Sequence, residues 1–224
     1  MPDNPWLQIP AEDYEAHMDA AGQAEALRNI FSRVYARVRP INVAVLGCTT
    51  GSDLGQIDPV ITDLVVGVDI NPDYLEIARR RLNALGPRLH LIPGDVLEVE
   101  LPSVRYDLIH AALLLEYVEP RSLLRRVLQW LSAEGTCSLI TQEPMPGVAA
   151  VSSTGYESLR GLSSRIVLRN GEEVAALAVD AGFRLASRQT VRVPSGKILL
   201  SSTFEKTRIA AEPRVAADGA APRR

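Results

Sequence analysis

The chain has 224 residues and a formal charge of −3 at pH 7, with 24 Lys and Arg against 27 Asp and Glu. That length suits one domain with a substantial core, and the near balance leaves no basic stripe of the kind that marks a nucleic-acid surface. Its apolar residues are dispersed, and no run approaches the ~20 residues of a membrane span. The start lacks the basic and apolar segments of a signal peptide. Cys48 and Cys137 have no second cysteine or histidine at ligand spacing. No metal site is expected, and both read as reduced thiols of a cytoplasmic protein.

Residues 1–18 mix polar and aromatic positions, Trp6 and Tyr14 among them, and form an arm ahead of the core. Residues 19–38 place Leu27, Ile30, Phe31, Val34 and Val38 near helical spacing, which predicts one amphipathic helix stopped by Pro40. Val43-Ala44-Val45-Leu46 is a continuous apolar run, as in a buried parallel strand, and leads into the loop Gly47-Cys48-Thr49-Thr50-Gly51. Leu64-Val65-Val66-Gly67-Val68 is a second such run. It ends in Asp69, 22 residues after Gly47. Asn71-Pro72 opens a helix with a capping residue and proline at its first position. Leu75, Ala78, Leu82 and Leu85 make its inner face, and Gly86-Pro87 ends it. Arg79, Arg80 and Arg81 fall on its solvated face.

Residues 143–170 make a long connection containing Pro144, Pro146, Gly147 and Tyr156. It reads as a cover over a ligand or as a disordered insertion. A helix over 172–181 closes at Gly182. The β-like runs 183–193 and 197–205 flank Pro194-Ser195-Gly196 and predict an antiparallel hairpin. Residues 207–224, rich in Ala, Pro and Arg without an aromatic, are expected to be a disordered tail. Strands alternating with helices imply a parallel sheet covered on both faces.

A glycine loop lets backbone approach a ligand closely, and an acid ending the next strand can accept hydrogen bonds from a ribose. Together they point to a nucleoside-bearing cofactor. The loop is not a dinucleotide fingerprint, because Thr49 and Ser52 stand where G-x-G-x-x-G has glycines. It is not a P-loop, because no lysine follows Gly51. The spacing Gly47-x-x-x-Gly51 resembles the nucleoside loop of class I S-adenosylmethionine-dependent methyltransferases. The chain keeps Gly47, Cys48 and Gly51 of that pattern and departs at Val45, where the family has an acid, and at Thr49, where it has glycine.

The resemblance runs over residues 30–206. It implies a doubly wound, Rossmann-like α/β fold, with a mostly parallel seven-stranded sheet in the order 3-2-1-4-5-7-6 and an antiparallel C-terminal hairpin. The third, fourth and fifth strands match residues 89–96, 106–111 and 135–140. It also implies S-adenosylmethionine as cofactor, with Gly47, Cys48, Thr49 and Gly51 in the loop, Asp69 on the ribose, Ile70 against the adenine, and Asp95 and Val96 at the adenine amine. Asp69 is read alternatively as a cap for the helix that follows, and Asp95 as a turn residue. Ala111 gives close access to the cofactor, and Tyr14, His17 and Met18 of the N-terminal arm act as a lid. No catalytic pair stands out. His110 reads as a core histidine, or as a base near the methyl group. Glu116 reads as a surface or helix-capping residue, or as a contact to a basic substrate. The expected activity is methyl transfer to a small-molecule acceptor, without nucleic-acid or membrane partners. A nicotinamide-dependent oxidoreductase and a non-catalytic binder of the same cofactor are the rival readings. The expected organisation is an arm or lid over 1–18, the domain over 19–206 and the tail.

Overall fold

Two apolar runs occupy the middle of the molecule. β1 (Asn42–Leu46) and β2 (Leu64–Asp69) pair in parallel, with Val45 opposite Gly67 and Leu46 opposite Val68. The computed structural model describes residues 4–207. Successive side chains of a strand point to opposite faces. Accordingly Val43 and Val45 enter one core cluster, and Ala44 and Leu46 the other. Both faces are buried, which is why the strand is apolar throughout.

β3 (Leu89–Pro93) joins β2, β4 (Tyr106–Ala112) joins β1, and β5 (Leu131–Gln142) joins β4, all in parallel. β6 (Phe183–Arg192) and β7 (Ile198–Lys206) form the antiparallel hairpin, with β7 beside β5. The seven-stranded sheet has the order β3-β2-β1-β4-β5-β7-β6, as the family resemblance implies. α2 (Gln23–Val38) and α3 (Pro72–Arg81) cover one face through Ile30, Phe31, Leu75 and Ala78. α4 (Pro120–Trp130) and α5 (Gly171–Asp180) cover the other through Leu123, Val127, Val174 and Ala178. Strand order reverses at β1, so the carboxyl ends of β1 and β4 diverge and leave a crevice between their loops.

Three elements differ from the sequence reading. The helix expected over 19–38 is two helices, α1 (Ala11–Ala20) and α2, and the expected boundary after Met18 falls inside α1. Gly22 separates them at φ +68°, where a Cβ would lie 2.4 Å from Pro194 Cδ. Glycine therefore permits both the left-handed turn and the close approach to the C-terminal hairpin. α3 stops at Arg81 and continues as a 3-10 turn, Asn83–Arg88, which still buries Leu85. The 143–170 connection is ordered and holds a 3-10 segment, Glu157–Ser164. The expected tail lies outside the described residues apart from Thr207.

Gly67 fixes how closely the glycine loop lies on the sheet. A Cβ there would sit 2.8 Å from Leu91 Cδ2 and 2.9 Å from Cys48 Sγ. Gly67→Val is expected to cost ~1–3 kcal/mol, the usual penalty for overpacking. Urea unfolding checks this, as a lowered midpoint at unchanged slope.

Candidate active site

The crevice at the carboxyl ends of β1 and β4 is a cavity of about 460 Å³. One side is built by the loop after β1. Gly47 turns the chain at φ +69°, and the Gly47 and Cys48 amides both donate to Val68 O, at 2.8 and 2.9 Å. Thr49 follows at φ +47°, a left-handed conformation that costs an L-residue roughly 1–2 kcal/mol. The Thr49 amide donates to Asp69 Oδ2 at 2.8 Å, and the Asn71 amide donates to Asp69 Oδ1 at 2.9 Å. One carboxylate thus fastens the loop to the start of α3. It does not cap that helix, because the Asn71 side chain accepts the Asp73 and Tyr74 amides. Burial raises the Asp69 acid to about 6, against the pull of its backbone bonds. A carboxylate offers about four acceptor positions. Each Asp69 oxygen has spent one on the protein, which leaves acceptors for a diol at the cavity edge.

Ile70, Asp95 and Val96 line the same side. Asp95 also has the turn role, accepting the Leu97 amide at Oδ1 at 2.8 Å. Two of the expected cofactor residues do not line the cavity. Gly51 turns away under α3, where a Cβ would lie 2.9 Å from Leu82 Cδ1 and 3.1 Å from Ala78 Cβ. Ala111 points into the opposite core cluster, and Ala112, one residue on, faces the cavity.

α1 lies across the loop and brings Tyr14, His17 and Met18 to the cavity wall. The Glu15 carboxylate accepts the Thr50 hydroxyl and, at 2.7 Å, Arg81 Nη1. The Arg81 bond holds the Glu15 carboxyl below its usual range. Arg81 also donates to Thr50 O at 3.1 Å. It is therefore a clasp between α3, the loop and α1. Only Arg79 and Arg80 keep the solvated role expected of all three arginines.

The third wall is the 143–170 connection. Leu159 and Leu162 pack with Ile9, Trp6 and Tyr117. Trp6 meets Tyr14 and Tyr117 edge-on, at 5.9 and 5.1 Å between ring centres. His17 Nδ1 pairs with Thr154 Oγ1 at 2.6 Å, and Ser158 Oγ donates to Asp13 Oδ2 at 2.6 Å. This segment thus packs against the N-terminal residues along one side of the cavity.

The far end of the cavity is polar and deeply buried. His110 on β4 is 1% exposed, packs edge-on against Phe31 at 5.0 Å, and pairs through Nδ1 with Ser138 Oγ at 3.0 Å. Its Nε2 meets no partner among the described residues. Burial pushes its pKa down to about 4, so the ring is neutral at pH 7. Glu116 corrects the sequence reading. It is 3% exposed and neither a surface residue nor a cap, since Glu119 caps α4. Gln23, Gln142, Lys197 and Asp53 also line the cavity and were not singled out from sequence. Lys197 carried one usable signal, since it is one of only two lysines in an arginine-rich chain. Its Nζ donates to Ala150 O at 2.8 Å and Gln23 Oε1 at 3.3 Å, and burial lowers its pKa to about 8.

Comparison with known proteins agrees with this architecture. Residues 43–135 match the family described as methyltransferase domain. A curated relative, carboxy-S-adenosyl-L-methionine synthase of Campylobacter curvus, is 30% identical over 94 residues, which is 41% of this chain and 39% of that protein. The match thus spans well under half of that relative's length. Among solved structures, 1,6-didemethyltoxoflavin-N1-methyltransferase of Burkholderia thailandensis aligns with a TM-score of 0.66 at 21% identity, covering 88% of this chain and 87% of that one. The N-methyltransferase NodS of Bradyrhizobium japonicum, solved with S-adenosylhomocysteine, aligns with a TM-score of 0.65 at 15% identity, covering 83% and 88%.

The buried His110 ring sets an acid limit on the fold. Its folded pKa of about 4 lies below the ordinary 6.5. Stability from its neutral form is complete above pH 6.5 and is lost as pH falls toward 4, because the unfolded chain takes a proton that the fold refuses. Between pH 7.5 and 4.5 the loss is on the order of 2–3 kcal/mol at ~1.4 kcal/mol per unit. His110→Gln is expected to remove that part of the acid sensitivity, measured by urea unfolding at both pH values.

Proposed function

We propose that this chain, which carries the class I S-adenosylmethionine-dependent methyltransferase fold, transfers a methyl group from S-adenosylmethionine to a small-molecule acceptor. The observation that carries the reading is the Asp69 carboxylate. It is locked by the Thr49 and Asn71 amides, with acceptor positions left over at the edge of a 460 Å³ cavity. That is the chemistry a ribose diol asks for at a strand end. Ile70 and Val96 supply apolar contacts for a flat base, and Asp95 an acceptor for its amine. The amino-acid end falls to the loop. Val45 is apolar, so Asp53 is the acid that the loop region offers there.

The cofactor supplies an activated methyl group on a sulfonium. The chain's part is to orient and to exclude water, and proximity alone can supply much of the rate. Trp6, Leu159 and Leu162 close the cavity against solvent. His17, His110 and Glu116 are among the polar groups that line the cavity. A nicotinamide dinucleotide is disfavoured, because the Thr49 side chain occupies the position where a pyrophosphate needs glycine. Among the described residues no helix is long and apolar enough to cross a membrane. We assign the protein to the cytoplasm on its two free, buried thiols.

Calorimetry tests the reading. S-adenosylmethionine or S-adenosylhomocysteine should bind and raise the melting temperature by mass action. Asp69→Asn, which keeps shape and loses charge, should weaken binding by roughly 1.5–3 kcal/mol, the range for hydrogen bonds to charged groups. Binding of a nicotinamide dinucleotide in place of either ligand would overturn the reading.

A further inference from the structure

Glu116 follows β4 at the mouth of the segment that leads to α4, and its side chain turns back into the cavity. Its Oε1 accepts the Gln142 amide at 2.8 Å. Its Oε2 is buried and meets no donor among the described residues. The backbone on either side is clamped by the cover, since the Val167 amide donates to Glu116 O at 2.9 Å and Arg169 Nη1 donates to Leu115 O at 2.8 Å. One carboxyl oxygen is thus bonded to the β5 end, and the other is buried without a donor, on a residue that lines the cavity. Leaving a buried charged acceptor without a donor costs more than the ~1–3 kcal/mol of a neutral group. A fold retains such a group where a ligand completes it.

The surroundings narrow the ligand. The cavity that Glu116 lines is walled elsewhere by Tyr117, Trp6, Leu159, Leu162 and Val151, apolar and aromatic in character. Such a wall suits a flat apolar molecule. His110 Nε2, also buried and unpartnered, lines the same cavity. The charged or titratable groups facing this region are Arg169, Tyr117, His110, His17, Arg165 and Lys197. Arg169 favours the ionised form of Glu116, yet burial outweighs it and lifts the acid to about 7. A carboxyl poised near neutrality can take a proton during a reaction and give it up afterwards.

We infer that Glu116 is the proton acceptor of the reaction, and that the methyl acceptor is a flat aromatic molecule presenting a weakly acidic O–H or N–H to Glu116 Oε2. The inference rests on the methyl-transfer reading above. Glu116 Oε2 takes the proton from X–H, where X is O or N. The pair left on X closes the new bond to the sulfonium methyl. That methyl's bond to sulfur breaks, and its pair stays on sulfur and cancels the positive charge. The proton on Glu116 passes to water when the cover opens. Nothing else is consumed.

The test uses the full chain and four probes, namely 2-naphthol, indole, and their methylated twins 2-methoxynaphthalene and 1-methylindole. Affinity is measured by fluorescence titration at pH 6 and pH 8.5, with and without saturating S-adenosylhomocysteine, on wild type and Glu116→Gln. At least one X–H probe is expected to bind at least ~10-fold tighter than its twin, the scale of a hydrogen bond to a charged group. That preference should be larger at pH 8.5, where Glu116 is ionised. In Glu116→Gln the pH dependence of that preference should vanish while S-adenosylhomocysteine affinity stays near wild type. Preference for 2-naphthol alone assigns an oxygen acceptor, and preference for indole alone a nitrogen acceptor. Equal affinity for probe and twin in wild type, or an unchanged pH trend in Glu116→Gln, overturns the proposal. An independent readout is the infrared carbonyl band of a buried protonated carboxyl. It should disappear as pH rises through about 7, and Glu116→Gln should lack it at every pH. Failure of S-adenosylhomocysteine to bind wild type would strike the function itself, and is separate because the probe titrations also run without it.

Discussion

The Asp69 carboxylate sits where three segments converge, accepting the Thr49 amide with one oxygen and the Asn71 amide with the other. Most of the site geometry depends on that pair of bonds. They hold a threonine in a backbone region that favours glycine, and they set the Gly47 loop against the end of β2. Asn71 relieves the carboxylate of any helix-capping duty. Asp69 is therefore free to face the cavity, while the α3 N-terminus, electropositive by its unpaired amides, lowers the cost of burying the charge. Gly67 beneath the loop and Gly51 beside α3 complete the arrangement by what they lack, since a side chain at Gly67 would press on Cys48 and Leu91, and one at Gly51 on Ala78 and Leu82.

The strands and the glycine-to-acid unit were legible in the sequence because each leaves a local mark, whereas the strand order came only from the family resemblance. A strand buried on both faces must be apolar throughout, a tight turn onto a ligand needs glycine, and an antiparallel hairpin needs a short glycine turn. What escaped was set by contacts between distant segments. The break between α1 and α2 comes from Gly22 meeting Pro194, and nothing near Gly22 in sequence announces a proline so far along the chain. Arg81 looked like its two neighbours in a basic run until α1 brought Glu15 over it. Glu116 read as a surface acid because an acid beside a helix start usually is one; only the fold shows that its side chain turns inward to the Gln142 amide. Gly51 and Ala111 matched a pattern whose letters fit, yet their backbone directions carry them off the cavity.

Burial has a common effect on the ionisable groups of the far end. It lowers His110 and Lys197 and raises Glu116. Each moves toward its neutral form, because low dielectric penalises charge of either sign. At neutral pH His110 is therefore uncharged and Glu116 is poised between its two forms, while Lys197 is held only a little above neutrality.

The N-terminal helix and the cover between β5 and α5 lean on one another. His17 holds Thr154, Asp13 holds Ser158, and Trp6 wedges between Tyr14 and Tyr117. Through these bonds the two walls are energetically coupled, so a substitution in the cover changes the effect of one in the N-terminal helix, and neither wall evolves alone.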